Sequence, residues 1–154
     1  MKILIVNGPN LNMLGKRDEN HYGNVTLDDI QKNLVKIAEE NDTSLEFYQS
    51  NIEGDIINEV QSKKNDIDGI LINAGAFSHY SLAIQDALSD SKLPVVTVHL
   101  SNIYSREEER HTDLISQIAV GGVYGFREES YEFGLRALIS YVKKHNTGGD
   151  GGRG

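Results

Sequence analysis

Hydrophobic and polar positions change period several times along the chain. Ile3-Leu4-Ile5-Val6 is a continuous apolar run, as expected of a parallel strand buried on both faces. From Thr26 to Asn41, Leu27, Ile30, Leu34 and Ile37 recur at helical spacing. Asp28 and Asp29 fall in the first turn, where the positive end of the helix dipole favours them. Leu45-Glu46-Phe47-Tyr48 predicts a second strand, and Ile56, Ile57 and Val60 a second helix that Lys63, Lys64 and Asn65 close. Ile70-Leu71-Ile72 is a third strand, followed by a helix from Leu82 to Leu88. Val95-Val96-Thr97-Val98, after Pro94, is a fourth strand, and Ala119 to Tyr124 a fifth one weakened by glycine. The last element is a helix from about Glu129 to Lys144, with an acidic start (Glu128, Glu129) and a basic end (Lys143, Lys144, His145).

Strands alternating with helices specify an α/β fold with a parallel sheet and right-handed crossovers. At this size the favoured solution is a flavodoxin-like, doubly wound, five-stranded parallel sheet in the order 2-1-3-4-5. A single domain is expected over residues 1–146, with 147–154 a glycine-rich and disordered tail. Composition agrees: 154 residues suit one domain, and 38% apolar residues with 15 glycines are ordinary for a globular chain. A net charge of −8 without any basic block of five residues argues against nucleic acid or a membrane surface as partner. With no cysteine there is no disulfide, thiolate zinc site or cysteine nucleophile. The opening MKILIVNGPN lacks the long apolar core of a signal peptide, and no run approaches the ~20 apolar residues of a membrane span. A cytoplasmic protein is expected.

Ligands of open parallel sheets bind beyond the carboxyl ends of the strands. Here strand 1 runs into Asn7-Gly8-Pro9-Asn10-Leu11-Asn12, strand 3 into Asn73-Ala74-Gly75 with His79 shortly after, and strand 4 into His99-Leu100-Ser101-Asn102. Turn formation accounts for individual asparagines and glycines. Amides, imidazoles and a hydroxyl converging from three strands point instead to a polar small-molecule site. Gly8 to Lys16 is not a phosphate loop, because six residues separate Gly8 from Gly15 and Arg17 follows Lys16. A phospho-acceptor domain of this topology would want aspartates where Asn7 and Asn73 stand, and a flavodoxin a hydroxyl-rich first loop. The polar, glycine-bounded stretch GKRDENHYG, residues 15–23, reads either as an ordinary exposed loop or as a lid carrying Arg17 and Tyr22. Arg106 and Arg110, four apart, would share one helical face. Either Glu107, Glu108 and Glu109 neutralise them locally, or they turn toward the strand-4 edge. The five histidines show no close pairing that would hold a metal, and no G-x-S-x-G elbow supports a Ser-His-Asp hydrolase. Ser78 or Ser81 is better placed to cap the third helix.

Three long stretches carry a resemblance: NGPNLNMLGKRDENHYG from Asn7, LINAGAFSHYSLAIQDAL from Leu71 and VHLSNIYSREEERH from Val98. With these, the chain resembles the type II 3-dehydroquinate dehydratases from Lys2 to about His145. The resemblance implies a cofactor-free and metal-free anti elimination of water from 3-dehydroquinate, within the shikimate pathway of aromatic amino acid biosynthesis. It makes Tyr22 the base at C2, Arg17 a lid residue stabilising the transition state, and His99 the acid for the C1 hydroxyl. Asn10 would hold a water at the developing enolate, and Arg106 would lie beside the tyrosine. Asn73, His79, Asp86 and Arg110 would bind substrate hydroxyls, and the backbone at Leu100 and Ser101 its carboxylate. The family's trimers build dodecamers, with Asp86 reaching a neighbour's site.

The chemistry is coherent. Free tyrosine titrates near pH ~10 and needs neighbouring cations such as Arg17 and Arg106 to act as a base at neutral pH. Three positions depart from the family's pattern. The lid reads Arg17-Asp18-Glu19 and lacks the usual proline. Thr97 stands where a glutamate commonly precedes the histidine. Arg110-His111-Thr112-Asp113 keeps only a hydroxyl equivalent of a serine. A non-catalytic binding protein on the same scaffold is the competing expectation, although such a module has no need of a Tyr-Arg pair on a loop.

Overall fold

The computed structural model describes residues 1–16 and 24–146. Its five strands are β1 (Lys2–Asn7), β2 (Ser44–Gln49), β3 (Gly69–Asn73), β4 (Val95–His99) and β5 (Gly121–Tyr124). They form one parallel sheet in the order β2-β1-β3-β4-β5, the arrangement expected from the sequence. The helices are α1 (Leu27–Glu40), α2 (Glu53–Lys63), α3 (Leu82–Ser91) and α4 (Glu129–Asn146). Residues 147–154, expected as a disordered tail, lie outside the described part.

Local chemistry sets the helix boundaries. The Thr26 hydroxyl accepts from the Asp29 amide while the Asp29 carboxylate accepts from the Thr26 amide, a reciprocal cap on the first free donors of α1. The Asp29 carboxyl is accordingly held below its ordinary range, first by the Thr26 amide and then by its hydroxyl. Ser81 caps α3 by accepting from the Ile84 amide, whereas Ser78 donates to the Gly75 carbonyl and caps nothing. The fifth strand begins at Gly121 rather than Ala119, because the Ala119 amide is still bonded back to the Ile115 carbonyl in the preceding turn.

The continuous apolar runs are explained by burial on both faces. On one face Ile3, Ile5, Leu71, Val96 and Val98 meet Ile30 and Leu34 of α1 and Leu135 and Leu138 of α4. On the other, Leu4, Val6, Ile70, Ile72 and Val95 meet Ile56 and Val60 of α2 and Ile84 and Leu88 of α3. Each such side chain contributes about 1.5–3 kcal/mol of transfer free energy. Gly134 lets α4 lie close on the sheet: a Cβ there would stand 2.5 Å from Val98 Cγ1 and 2.9 Å from Leu71 Cδ1. The register sets Asn7 beside Asn73 on one flank and beside Gln49 on the other, so three amides line up at the carboxyl ends of β1, β2 and β3.

Candidate active site

The loops after β1 and β3 touch backbone to backbone. The Gly8 amide donates to the Asn73 carbonyl at 2.8 Å, and a Cβ on Gly8 would lie 2.3 Å from the Ala74 carbonyl oxygen. Gly75 turns with φ +58°, against Pro9. Beneath them a buried hydroxyl joins the two strands. Tyr131 of α4 donates to Asn7 Oδ1 at 2.5 Å and accepts from Asn73 Nδ2 at 2.9 Å. Complete burial pushes the Tyr131 phenol up, more than the hydrogen bond from Asn73 lowers it, so it stays a neutral donor. Asn73 Oδ1 also accepts from the Gly75 amide, so both ends of this side chain are fixed before any ligand arrives. Tyr131→Phe leaves Asn73 Nδ2 and Asn7 Oδ1 buried without partners. It is expected to cost about 1–3 kcal/mol, read by denaturant unfolding.

At the end of β4 His99 is buried, and its Nε2 lies 2.7 Å from Asp113 Oδ2. Burial of Asp113 disfavours its charge, but the hydrogen bond and charge of His99 and the bonds from Ser116 outweigh it, holding the carboxyl below its ordinary range. The carboxylate is saturated: Oδ1 accepts from the Ile115 and Ser116 amides, and Oδ2 from the Ser116 hydroxyl as well as from His99. The neighbouring serine thus bonds the carboxylate and not the ring, which removes any Ser-His-Asp reading of this pair. His79 stacks nearly parallel to His99 at 12°, with ring centroids 6.2 Å apart. Its Nδ1 lies 2.8 Å from the Thr112 carbonyl, which can only accept, so Nδ1 carries the proton and Nε2 is left for a ligand.

The arginine pair departs from expectation. Arg106 follows one short 3-10 turn (Ile103–Ser105) in extended conformation, and Arg110 ends another (Glu108–Arg110), so no single helical face presents both. Glu107 between them meets Arg106 Nε at 3.6 Å and Arg110 Nε at 3.4 Å, which relieves their repulsion. Arg106 also reaches the strand-4 edge, where its Nη1 donates to the Ser101 hydroxyl at 3.4 Å. The Leu100 carbonyl is taken by the Arg127 amide. Asn10 adopts φ 69° and is held through its amide by Asn51 Oδ1, which also accepts from Gln49 Nε2. Asp86 lies exposed on α3 and bonds to none of the other candidate residues described. Arg17 and Tyr22 lie outside the described residues. Among the described residues no group of three or more His, Asp or Glu side chains could hold a metal ion. A separate hollow of about 140 Å³ between α1 and α4 is lined by Asp29, Glu128, Glu129 and Glu132, a wall that repels a carboxylate ligand.

Asp113, Tyr131, Asn51 and Gln49 were not singled out as site residues from sequence. Asp113 only closes the stretch Arg110-His111-Thr112-Asp113 in the sequence, with no signal of its own, and Tyr131 has the spacing of an ordinary core residue.

The dehydroquinase class II family model matches residues 1–139. The 3-dehydroquinate dehydratase of Prochlorococcus marinus (strain NATL1A) is 51% identical over 144 residues, covering 94% of this chain and 99% of its own. That of Carboxydothermus hydrogenoformans is 46% identical over 153 residues, 99% of each chain. The crystal structure of a type II dehydroquinase from Butyrivibrio crossotus superimposes with a TM-score of 0.86 at 40% identity, covering 90% of this chain and 97% of that one. Family match, matched length and superposed fold agree, and the chain belongs to the class II dehydroquinase family.

Proposed function

We propose that the chain is a hydro-lyase that eliminates water from 3-dehydroquinate to give 3-dehydroshikimate, in the shikimate pathway. The observation that carries this reading is the 51% identity to a 3-dehydroquinate dehydratase across 94% of the chain. That near-complete overlap with enzymes disfavours a binding protein that has lost turnover.

The mechanism we assign is stepwise. Tyr22, as the phenolate, takes the proton from C2, and the electron pair moves onto the ketone oxygen as an enolate. Arg17 and Arg106 favour the phenolate by their charge, and a water held by Asn10 donates to the enolate oxygen. The enolate then collapses, the C1–O bond breaks, and His99 gives a proton to the departing hydroxyl, which leaves as water. Base and acid on opposite substrate faces suit anti geometry. Asn73, His79, Asp86 and Arg110 bind hydroxyls, while the Leu100 and Ser101 backbone grips the carboxylate. The nitrogen His79 leaves open and the Arg106–Ser101 contact support these assignments. The scheme calls for no metal or cofactor. A dodecamer built of trimers, with Asp86 serving a neighbour's site, and a cytoplasmic location complete the proposal. No helix described is long and apolar enough to cross a membrane.

The test mixes purified, assembled protein with 3-dehydroquinate and follows the near-ultraviolet absorbance of the conjugated enone, without added metal. Catalytic product formation is expected. A folded protein that binds 3-dehydroquinate without forming the enone would overturn the assignment in favour of a binding module.

A further inference from the structure

We propose that Asp113 is the positioning residue for His99 in this chain, holding the ring by Nε2 so that Nδ1 is the nitrogen that hands over the proton. This inference rests on the reading of His99 as the acid.

The argument begins with strand periodicity. Val95, Thr97 and His99 alternate along β4 onto one face, and Val95 belongs to the core layer beneath α2 and α3. A partner carried by β4 itself would therefore come from position 97, two residues before the ring. Thr97 offers no carboxylate, and its hydroxyl is buried without any hydrogen-bond partner. The carboxylate arrives instead from the segment after the second 3-10 turn, where Asp113 places Oδ2 2.7 Å from His99 Nε2.

Asp113 is itself rigid. Four hydrogen bonds fill its two oxygens, two of them from backbone amides of its own turn. The side chains of the pair are only 8% and 3% exposed, so water competes weakly. An ionised carboxylate can only accept, so Nε2 keeps its proton in both charge states of the ring. Nδ1 has no hydrogen-bond partner among the described residues and is the nitrogen that gains and loses the proton. The His79 ring stacks against His99 from the turn after β3, and Tyr124 is the register partner of His99 on β5. Asp113 is the acidic group bonded to the ring.

Two measurements test the inference. In ligand-free parent protein, the ring ¹⁵N resonances of His99, assigned by their loss in His99→Asn, are expected to show the proton on Nε2 in the neutral form. A proton on Nδ1 instead would mean Asp113 does not accept from the ring, and would overturn the proposal without any reference to turnover. In steady-state kinetics Asp113→Asn keeps the size and an acceptor but removes the charge. Its kcat is expected to fall at least tenfold with KM changed less than threefold. Ser116→Ala removes one hydroxyl bond from the same carboxylate without touching the ring contact and is expected to change kcat less than threefold. If Asp113→Asn leaves kcat within threefold of the parent while His99→Asn abolishes turnover, the positioning role is wrong and the acid assignment stands. If His99→Asn turns over normally, the acid assignment fails and the pair is merely structural.

Discussion

Tyr22→Phe and His99→Asn are each expected to lower kcat by about 10²–10⁴-fold, the usual contribution of a positioned acid or base. Under the roles proposed for them they should fail in different ways. Without the Tyr22 oxygen no group takes the C2 proton, so both water loss and exchange of that proton with solvent should disappear. Without the His99 imidazole the enolate still forms but cannot expel hydroxide readily. Exchange at C2 should then continue while product formation nearly stops, and a deuterium isotope effect at C2 should shrink toward unity as the later step limits the rate. Exchange is read by NMR in deuterated buffer and turnover by the enone absorbance. Loss of exchange in both variants would place proton abstraction and departure in one step and remove the enolate from the scheme. His99→Asn also takes the ring's hydrogen bond from the buried Asp113 carboxylate, a loss of about 1.5–3 kcal/mol for a bond to a charged group. Its turnover must therefore be compared on protein shown to be folded.

Gly8→Ala is expected to be the most damaging single methyl in the described structure. The new Cβ would sit 2.3 Å from the Ala74 carbonyl oxygen and 2.6 Å from its carbon, both backbone atoms that cannot rotate away. Relief requires the loops after β1 and β3 to separate, which stretches the 2.8 Å bond from the Gly8 amide to the Asn73 carbonyl. Overpacking of this kind costs about 1–3 kcal/mol or more. The same displacement moves Asn10 and Asn73 relative to each other, and a misplacement of about 1 Å can cost 10²-fold in rate. Gly54→Ala is the control: a Cβ there meets nothing within 4 Å, and alanine in a helix is about 0.5–1 kcal/mol better than glycine. Denaturant unfolding and kcat, measured for both variants, check the contrast. Equal behaviour would mean that the close approach after β1 and β3 is not what Gly8 serves.

Most of the fold was legible because it is written in local period. Runs such as Ile3 to Val6 and Ile70 to Ile72 can be satisfied only between two helical layers, and the Thr26 and Ser81 caps sit next to the helices they start. The placement of His99 and Asn73 followed from the same logic, since parallel strands deliver their last residues to one edge. What failed was whatever depends on irregular backbone or on distant partners. Arg106 and Arg110 have helical spacing, yet the chain between them breaks into two 3-10 turns with Glu107 bridging the guanidiniums. Asp113 meets a ring 14 residues away through a segment without period, and Gly8 looked like a turn residue when its role is to admit the Ala74 backbone. No one-dimensional pattern marks such contacts.

The Tyr131 hydroxyl reaches 124 positions back to Asn7 and 58 back to Asn73. During synthesis both asparagines leave the ribosome long before their partner does. The sheet can pair β1 with β3 early, but the amide at the floor of the site has no fixed orientation until the last helix docks. Assembly of the candidate site is thereby tied to synthesis of α4, and a nascent chain lacking that helix holds Asn7 and Asn73 without their shared partner.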